Sequence, residues 1–167
     1  MLGVIGFWDS YYHTCPEGTC IKKYQKFWRL TLKTFGGSYL IFVDEENMQP
    51  EMGDTTIIYE LYPTIFDALD AYNGANFVFM ESPELVPDNI NTTWLKDFVH
   101  PDEDVFYVIG NNFSGLPMLD LYSRGYLDDQ NVVSIKIKYT ANYGIPVPLW
   151  SHIVSAIVLS DRIQKEI

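Results

Sequence analysis

Positive charge is scarce in this chain. Its 167 residues hold 11 lysines and arginines against 22 aspartates and glutamates, a formal net charge of −11. Phosphate repels so acidic a polymer, which excludes a general nucleic-acid coat protein. Any contact with RNA must pass through a local basic patch or a partner protein. Cysteine is nearly absent: Cys15 and Cys20 stand alone, which excludes a disulfide-built scaffold. Only His13 lies near them, too little for a metal site, so reduced thiols and no bound metal are expected. Long apolar runs are also missing. The stretch Ile153 to Leu159 is far too short to span a membrane, and Met1-Leu2-Gly3-Val4 has no basic leader. The expectation is a cytoplasmic protein with no membrane partner.

What is present suits a packed core: 47% hydrophobic and 16% aromatic residues. No repeat, low-complexity tract or linker divides the chain, so one domain over 1–167 is expected. Apolar or β-branched runs predict six strands: Leu2–Trp8, Tyr39–Val43, Thr55–Glu60, Phe77–Met80, Val105–Ile109 and Val132–Ile137. Helical spacing over Thr19–Thr34 puts Ile21, Tyr24, Phe27, Trp28, Thr31 and Leu32 on one side, and Gly36-Gly37 ends it. A short helix follows Pro63, with Ile65, Phe66, Leu69 and Tyr72. Thr93–Val99 reads as one or two helical turns. Ser151–Gln164 forms a terminal helix with Ile153, Val154, Ile157 and Val158 on its apolar face. Strands alternating with helices predict an α/β fold, a mostly parallel six-stranded sheet with helices on both faces. Ligands of such sheets bind beyond the carboxyl ends of the strands. That rule points to the loops after Met80, Ile109 and Ile137.

Two of these loops carry informative residues. Gly110-Asn111-Asn112-Phe113-Ser114-Gly115-Leu116-Pro117 offers glycines for close backbone approach and asparagines to fix the turn. Lys138 to Trp150 is long and braced by Pro146 and Pro148, as befits a segment that wraps a ligand or covers a sheet edge. The one dense basic stretch is Lys22, Lys23, Lys26, Arg29 and Lys33, either a solvated helix face or the patch an RNA would need. His152 is either a general base or a half-buried helix histidine.

Val105 to Pro117 resembles the second signature of SpoU/TrmH-type 2′-O-ribose RNA methyltransferases, of the SPOUT (α/β-knot) superfamily: a strand ending in Gly-Asn-Glu-x-x-Gly-Leu. Phe98-Val99-His100-Pro101 is similar to the Phe-x-His-Pro of one subgroup. Ile145-Pro146-Val147-Pro148-Leu149, leading into Ile157-Val158-Leu159-Ser160-Asp161-Arg162, resembles the third signature. The resemblance implies a C-terminal trefoil knot, an S-adenosylmethionine pocket and a homodimer packed through the first and last helices, with Trp28 and the apolar terminal helix either at that interface or in the ordinary core. Gly110 and Ile137 would hold the adenosine part, Pro148 and Leu149 would close the cup, and Met80 would lie beside it. Asn111, Asn112, Gly115, Leu116, Ile145 and Trp150 complete the implied cofactor set. The family's Arg, which activates the ribose hydroxyl or steadies the phosphate, maps onto Lys22 or, in another register, onto Arg29.

The sequence departs from the family at three points. Pro16 stands at the first signature's Asn, Asn112 at the second's Glu and Trp150 at the third's Asn. The resemblance therefore implies an S-adenosylmethionine-dependent RNA methyltransferase acting on tRNA or rRNA ribose. Its alternative is a catalytically degenerate knot protein that binds the cofactor or a protein partner without methylating RNA.

Overall fold

A computed structural model describes residues 1–14, 19–53, 56–135 and 151–166. The elements follow in chain order as β1 (Leu2–Phe7), α1 (Thr19–Thr34), β2 (Tyr39–Val43), β3 (Ile58–Tyr62), α2 (Ile65–Ala71), β4 (Asn76–Met80), β5 (Thr93–Trp94), β6 (Val105–Ile109), α3 (Met118–Ser123), β7 (Val132–Ser134) and α4 (Ser151–Glu166). The strands form one seven-stranded sheet in the order β3-β2-β1-β6-β4-β7-β5, with every pairing parallel.

This confirms the α/β class and corrects the strand count from six to seven. The added strand is Thr93–Trp94, followed by a 3₁₀ turn over Leu95–Asp97, where helical turns were expected. Two residues are too few for a strand periodicity to show. The third strand is Ile58–Tyr62 rather than Thr55–Glu60. Helix α3 was not expected, because six residues opening after Pro117 carry barely two turns of pattern. The knot implied by the resemblance involves residues 136–150, which lie outside the described residues.

Both faces of the sheet are apolar, and alternate residues of each strand serve opposite cores. Val4, Leu40, Phe42, Val78, Val105, Tyr107 and Ile109 pack beneath α1 and α4 with Trp28, Leu32, Val158 and Leu159. Ile5, Ile41, Val43, Phe79, Phe106 and Val108 pack beneath α2 and α3 with Ile65, Leu69, Met118 and Leu121. Thr64 caps α2 by accepting from the Asp67 backbone N–H at 3.2 Å, the start signal that Pro63 only approximated. Trp28, expected at an interface or in the core, is 1% exposed, and its indole donates to the Tyr12 hydroxyl at 3.2 Å. Its neighbour Phe27, expected on the buried side, points outward at 38% exposure. Successive helix residues lie about 100° apart, so the two rings cannot share a face. Cys20 is disulfide-bonded, which corrects the expectation of reduced thiols.

A buried polar network anchors α4. The segment Phe98-Val99-His100-Pro101 meets Asp161-Arg162 across the core. His100 Nε2 lies 2.9 Å from Asp161 Oδ2, and its Nδ1 lies 2.5 Å from the Tyr107 hydroxyl. Arg162, 7% exposed, donates to the backbone carbonyls of Pro101 at 2.5 Å and Asp102 at 3.0 Å, and pairs with Glu166 at 2.8 Å. Lys165 donates to the Phe98 carbonyl at 3.1 Å and pairs with Asp161 at 2.7 Å. Two motifs that sequence treats as separate are thus one structural unit, which anchors the C-terminal half of α4.

Candidate functional site

Three of the strands singled out by sequence lie side by side. Met80 of β4 pairs with Ile109 of β6 on one side and with Val133 of β7 on the other. Their carboxyl ends therefore open onto one place. The order also reverses beside β1: the chain runs outward through β2 and β3, then returns to build β6 and β4 on the other flank. Loops diverge at such a switch point and leave a crevice.

The loop after β6 is closed on itself. Asn111 N–H donates to the Gly115 carbonyl at 3.2 Å, and Gly115 N–H returns a bond at 2.9 Å. Asn111 Oδ1 accepts from the Phe113 N–H at 2.8 Å, an Asx turn. Gly115 adopts φ +69°, and a Cβ there would stand 2.5 Å from Glu81 Oε2. Gly110 is packed backbone to backbone: a Cβ would meet the Gly115 carbonyl carbon at 2.3 Å and the Leu116 nitrogen at 2.5 Å. Gly110→Ala is expected to destabilise the chain by about 1–3 kcal/mol, since backbone cannot step aside as a side chain can. Urea unfolding measures it, and an unchanged midpoint would contradict this packing.

Glu81, directly after β4, clasps that loop from below. Its Oε2 accepts from the Leu116 N–H at 2.7 Å and its Oε1 from the Ser82 N–H at 2.8 Å. Burial raises its pKa, against the lowering effect of those two donors.

Asn112 ties three elements together. Its Nδ2 donates to Asp9 Oδ2 and to the Tyr12 hydroxyl, each at 3.1 Å. Its backbone N–H also donates to Asp9 Oδ2 at 3.1 Å. Its Oδ1 accepts from the Ser151 N–H and hydroxyl, each at 2.9 Å. Ser151 also reaches the Gly110 carbonyl at 2.7 Å. The segment after β1, the loop after β6 and the first turn of α4 therefore meet on one amide. Asp9 is 3% exposed and also accepts from the Tyr11 N–H at 3.0 Å. Burial raises its pKa, and the donors from Asn112 and Tyr11 pull it back.

This pattern accounts for an amide rather than a carboxylate at position 112. A Glu at position 112 would set its carboxylate against the buried carboxylate of Asp9, whereas an amide offers Asp9 a donor and α4 an acceptor. The carboxylate at this junction is Asp9. Sequence reasoning missed Asp9, Tyr12, Ser151 and Glu81. The available signal was position: Asp9 and Glu81 are polar residues directly beyond the carboxyl ends of buried strands.

Of the expected site residues, Met80, Gly110, Asn111, Asn112, Gly115 and Leu116 are brought together. Ile137, Ile145, Pro148, Leu149 and Trp150 lie outside the described residues. On α1, Lys22 is exposed and Arg29 half-buried. His152, beside Ser151, stacks on Phe27 with ring centroids 5.5 Å apart and an interplanar angle of 18°. Its Nδ1 is buried with no hydrogen-bond partner among the described residues.

Burial lowers the pKa of both His100 and His152 below 6.5, although Asp161 and its hydrogen bond oppose this at His100. The folded chain thus binds these protons less readily than the unfolded chain. Their contribution is complete above the unfolded value and is lost as pH falls below it. Asp9 and Glu81, with raised values, work in the opposite sense as acidity increases. The wild type should therefore lose more stability between about pH 7.5 and about pH 5.5 than His152→Phe, which keeps the stack on Phe27. Urea midpoints at the two pH values check this; equal losses would show that His152 titrates alike in both states.

No protein-family model matches the sequence, and no curated protein does. Solved structures do match, over 99% of this chain in each of three cases. One is a candidate RNA methyltransferase from Bacillus anthracis, with TM-score 0.62, 11% identity and 94% of that chain covered. Another is an AdoMet-bound rRNA methyltransferase from Sinorhizobium meliloti, with TM-score 0.59, 15% identity and 56% of that chain covered. The third is a TrmH/SpoU tRNA modifying enzyme from A. aeolicus, with TM-score 0.57, 18% identity and 75% covered. The class is thereby defined: the chain has the SPOUT-like fold of SpoU/TrmH-type RNA methyltransferases.

Proposed function

We propose that the chain is an S-adenosylmethionine-dependent RNA methyltransferase, with the ribose 2′-hydroxyl of tRNA or rRNA as acceptor. The observation that carries this reading is the Asn112 junction. It fixes the closed loop after β6 and the first turn of α4 beside the adjoining ends of β4 and β7. Those are the segments that the resemblance assigns to the cofactor.

The residues present fit such a ligand. Gly110 and Gly115 let the loop close tightly on itself and on Glu81, and buried Met80 and Ile109 give an apolar floor beside it. Met80, Gly110, Asn111 and Leu116 would contact the cofactor from the described part of the chain. When bound, S-adenosylmethionine supplies an electrophilic methyl group. The chain's own task is to orient the acceptor and exclude water, since transfer to a hydroxyl rewards proximity. Lys22 or Arg29 would steady the substrate phosphate. Asp9, held by Asn112 and Tyr11, keeps the crevice in one shape. The α4 face bearing Ala156, Ile157, Ser160, Asp161 and Gln164, with Phe35 and Leu95, forms a shallow groove of about 470 Å³. We assign this groove to a homodimer contact.

Transfer of tritiated methyl from S-adenosylmethionine to unmodified tRNA and rRNA fragments tests the reading. Label at ribose 2′-oxygen supports it. Cofactor binding with no label in any RNA would favour the non-methylating alternative, which the departures at Pro16, Asn112 and Trp150 motivate.

A further inference from the structure

Asp9 and Glu81 both stand at the carboxyl ends of buried strands, but the fold treats them differently. Asp9 is enclosed: it is 3% exposed and accepts from the Tyr11 N–H and from both nitrogens of Asn112. Glu81 is half-buried and, among the described residues, accepts only from the N–H groups of Leu116 and Ser82. An ionised carboxylate offers about four lone-pair sites, so the fold leaves much of the Glu81 charge unanswered.

The surrounding strands fix where that charge lies. The Glu81 N–H donates to the Val133 carbonyl of β7 at 3.1 Å, and the Glu81 carbonyl accepts from the Ser134 hydroxyl at 2.7 Å. Its side chain can reach the loop after β6 because Gly115 lacks a Cβ, which would stand 2.5 Å from Oε2. Glu81 is therefore the point where β4, β7 and that loop meet. Among the described residues, no lysine, arginine or histidine forms an ion pair with it. Burial raises its pKa, and the charge of Glu84 pushes in the same direction. A half-buried anion beside another anion is unfavourable until a cation arrives.

We infer that Glu81 is the counter-charge for the sulfonium of S-adenosylmethionine and sets the preference of the site for this cofactor over its demethylated product, S-adenosylhomocysteine. This rests on the methyltransferase reading and adds to it a specificity-determining residue. A sulfonium has a fixed positive charge and no N–H or O–H to donate, so its partner must act through charge. A carboxylate held in place by a backbone N–H on each oxygen is such a partner. The product is a neutral thioether at the same atom and gains nothing from it.

Calorimetric titration of the wild type, Glu81→Gln and Glu84→Gln with each of the two compounds tests this. The wild type should bind S-adenosylmethionine about tenfold more tightly than S-adenosylhomocysteine. Glu81→Gln keeps the shape and removes the charge. It should weaken S-adenosylmethionine about tenfold and leave the product nearly unaffected, so that the preference disappears. Glu84 is exposed, and Glu84→Gln should keep the preference. Equal affinities in the wild type would overturn the inference whether or not the variant folds. So would a preference that survives Glu81→Gln, an equal loss for both compounds in that variant, or a preference lost as fully in Glu84→Gln. Binding of neither compound by the wild type would overturn the methyltransferase reading instead, so the two failures are distinguishable.

Discussion

Asn112→Asp is expected to destabilise the chain by about 3–5 kcal/mol at neutral pH, the range for an unpaired charge left in a buried site. The substitution is isosteric, so the loop's shape is kept and only the chemistry changes. It places a second carboxylate where Nδ2 now donates to Asp9 Oδ2 at 3.1 Å. Asp9 is 3% exposed and burial already opposes its ionisation, so a second carboxylate against it is costly. Asp9→Asn alone should cost less, about 1–3 kcal/mol, because it leaves donors facing donors without adding charge. The exchange Asp9→Asn with Asn112→Asp restores an amide–carboxylate pair in the reverse order. It should regain part of the loss, with a coupling above about 1 kcal/mol in a double-mutant cycle. Recovery is incomplete, because the Asn112 backbone N–H then loses its carboxylate acceptor. Urea unfolding of the four proteins reads the cycle directly. Additive losses would show that Asp9 and Asn112 do not interact.

Arg162→Leu is the other large effect, expected at about 3–5 kcal/mol. The guanidinium is the buried cation of the α4 anchor. It satisfies the carbonyls of Pro101 and Asp102 and pairs with Glu166. Leucine fills much of the volume but leaves those carbonyls without a donor, each at roughly 1–3 kcal/mol. Arg162→Lys should recover only part, since an ammonium cannot present the same planar fork. Because α4 begins at Ser151, loosening its far end should also reach the crevice. Thermal unfolding checks the first effect, and cofactor affinity of the surviving fold checks the second. A change within about 0.5 kcal/mol would place Arg162 among ordinary surface residues.

Sequence gave away most of the scaffold. β2 and α1 lie where apolar runs and helical spacing put them, and β1, β4 and β6 within a residue, because a buried parallel strand must be apolar on both faces. Thr93–Trp94 and α3 were invisible: two and six residues do not establish a period. The site was legible in part. The Gly110–Leu116 loop stood out through its glycines and asparagines, but its partners did not. Asp9 and Ser151 are ordinary polar residues that matter only because the sheet order brings β1 and α4 beside β6. His100 and Arg162 were noticed as fragments of a resemblance. Their direct physical reason, one shared buried network, needs three dimensions. Trp28 lies on the buried side where its spacing put it, whereas Phe27, placed on the same side, sits at its edge, because sequence spacing places a helix face only to within one residue.

The central claim is that the adjoining ends of β4, β6 and β7 hold S-adenosylmethionine. Calorimetric titration of the purified chain with that cofactor tests it most directly. Saturable binding with one site per chain and a dissociation constant in the micromolar range is the predicted result. No heat and no binding up to millimolar cofactor would contradict the claim, and would leave the fold of a methyltransferase without its chemistry.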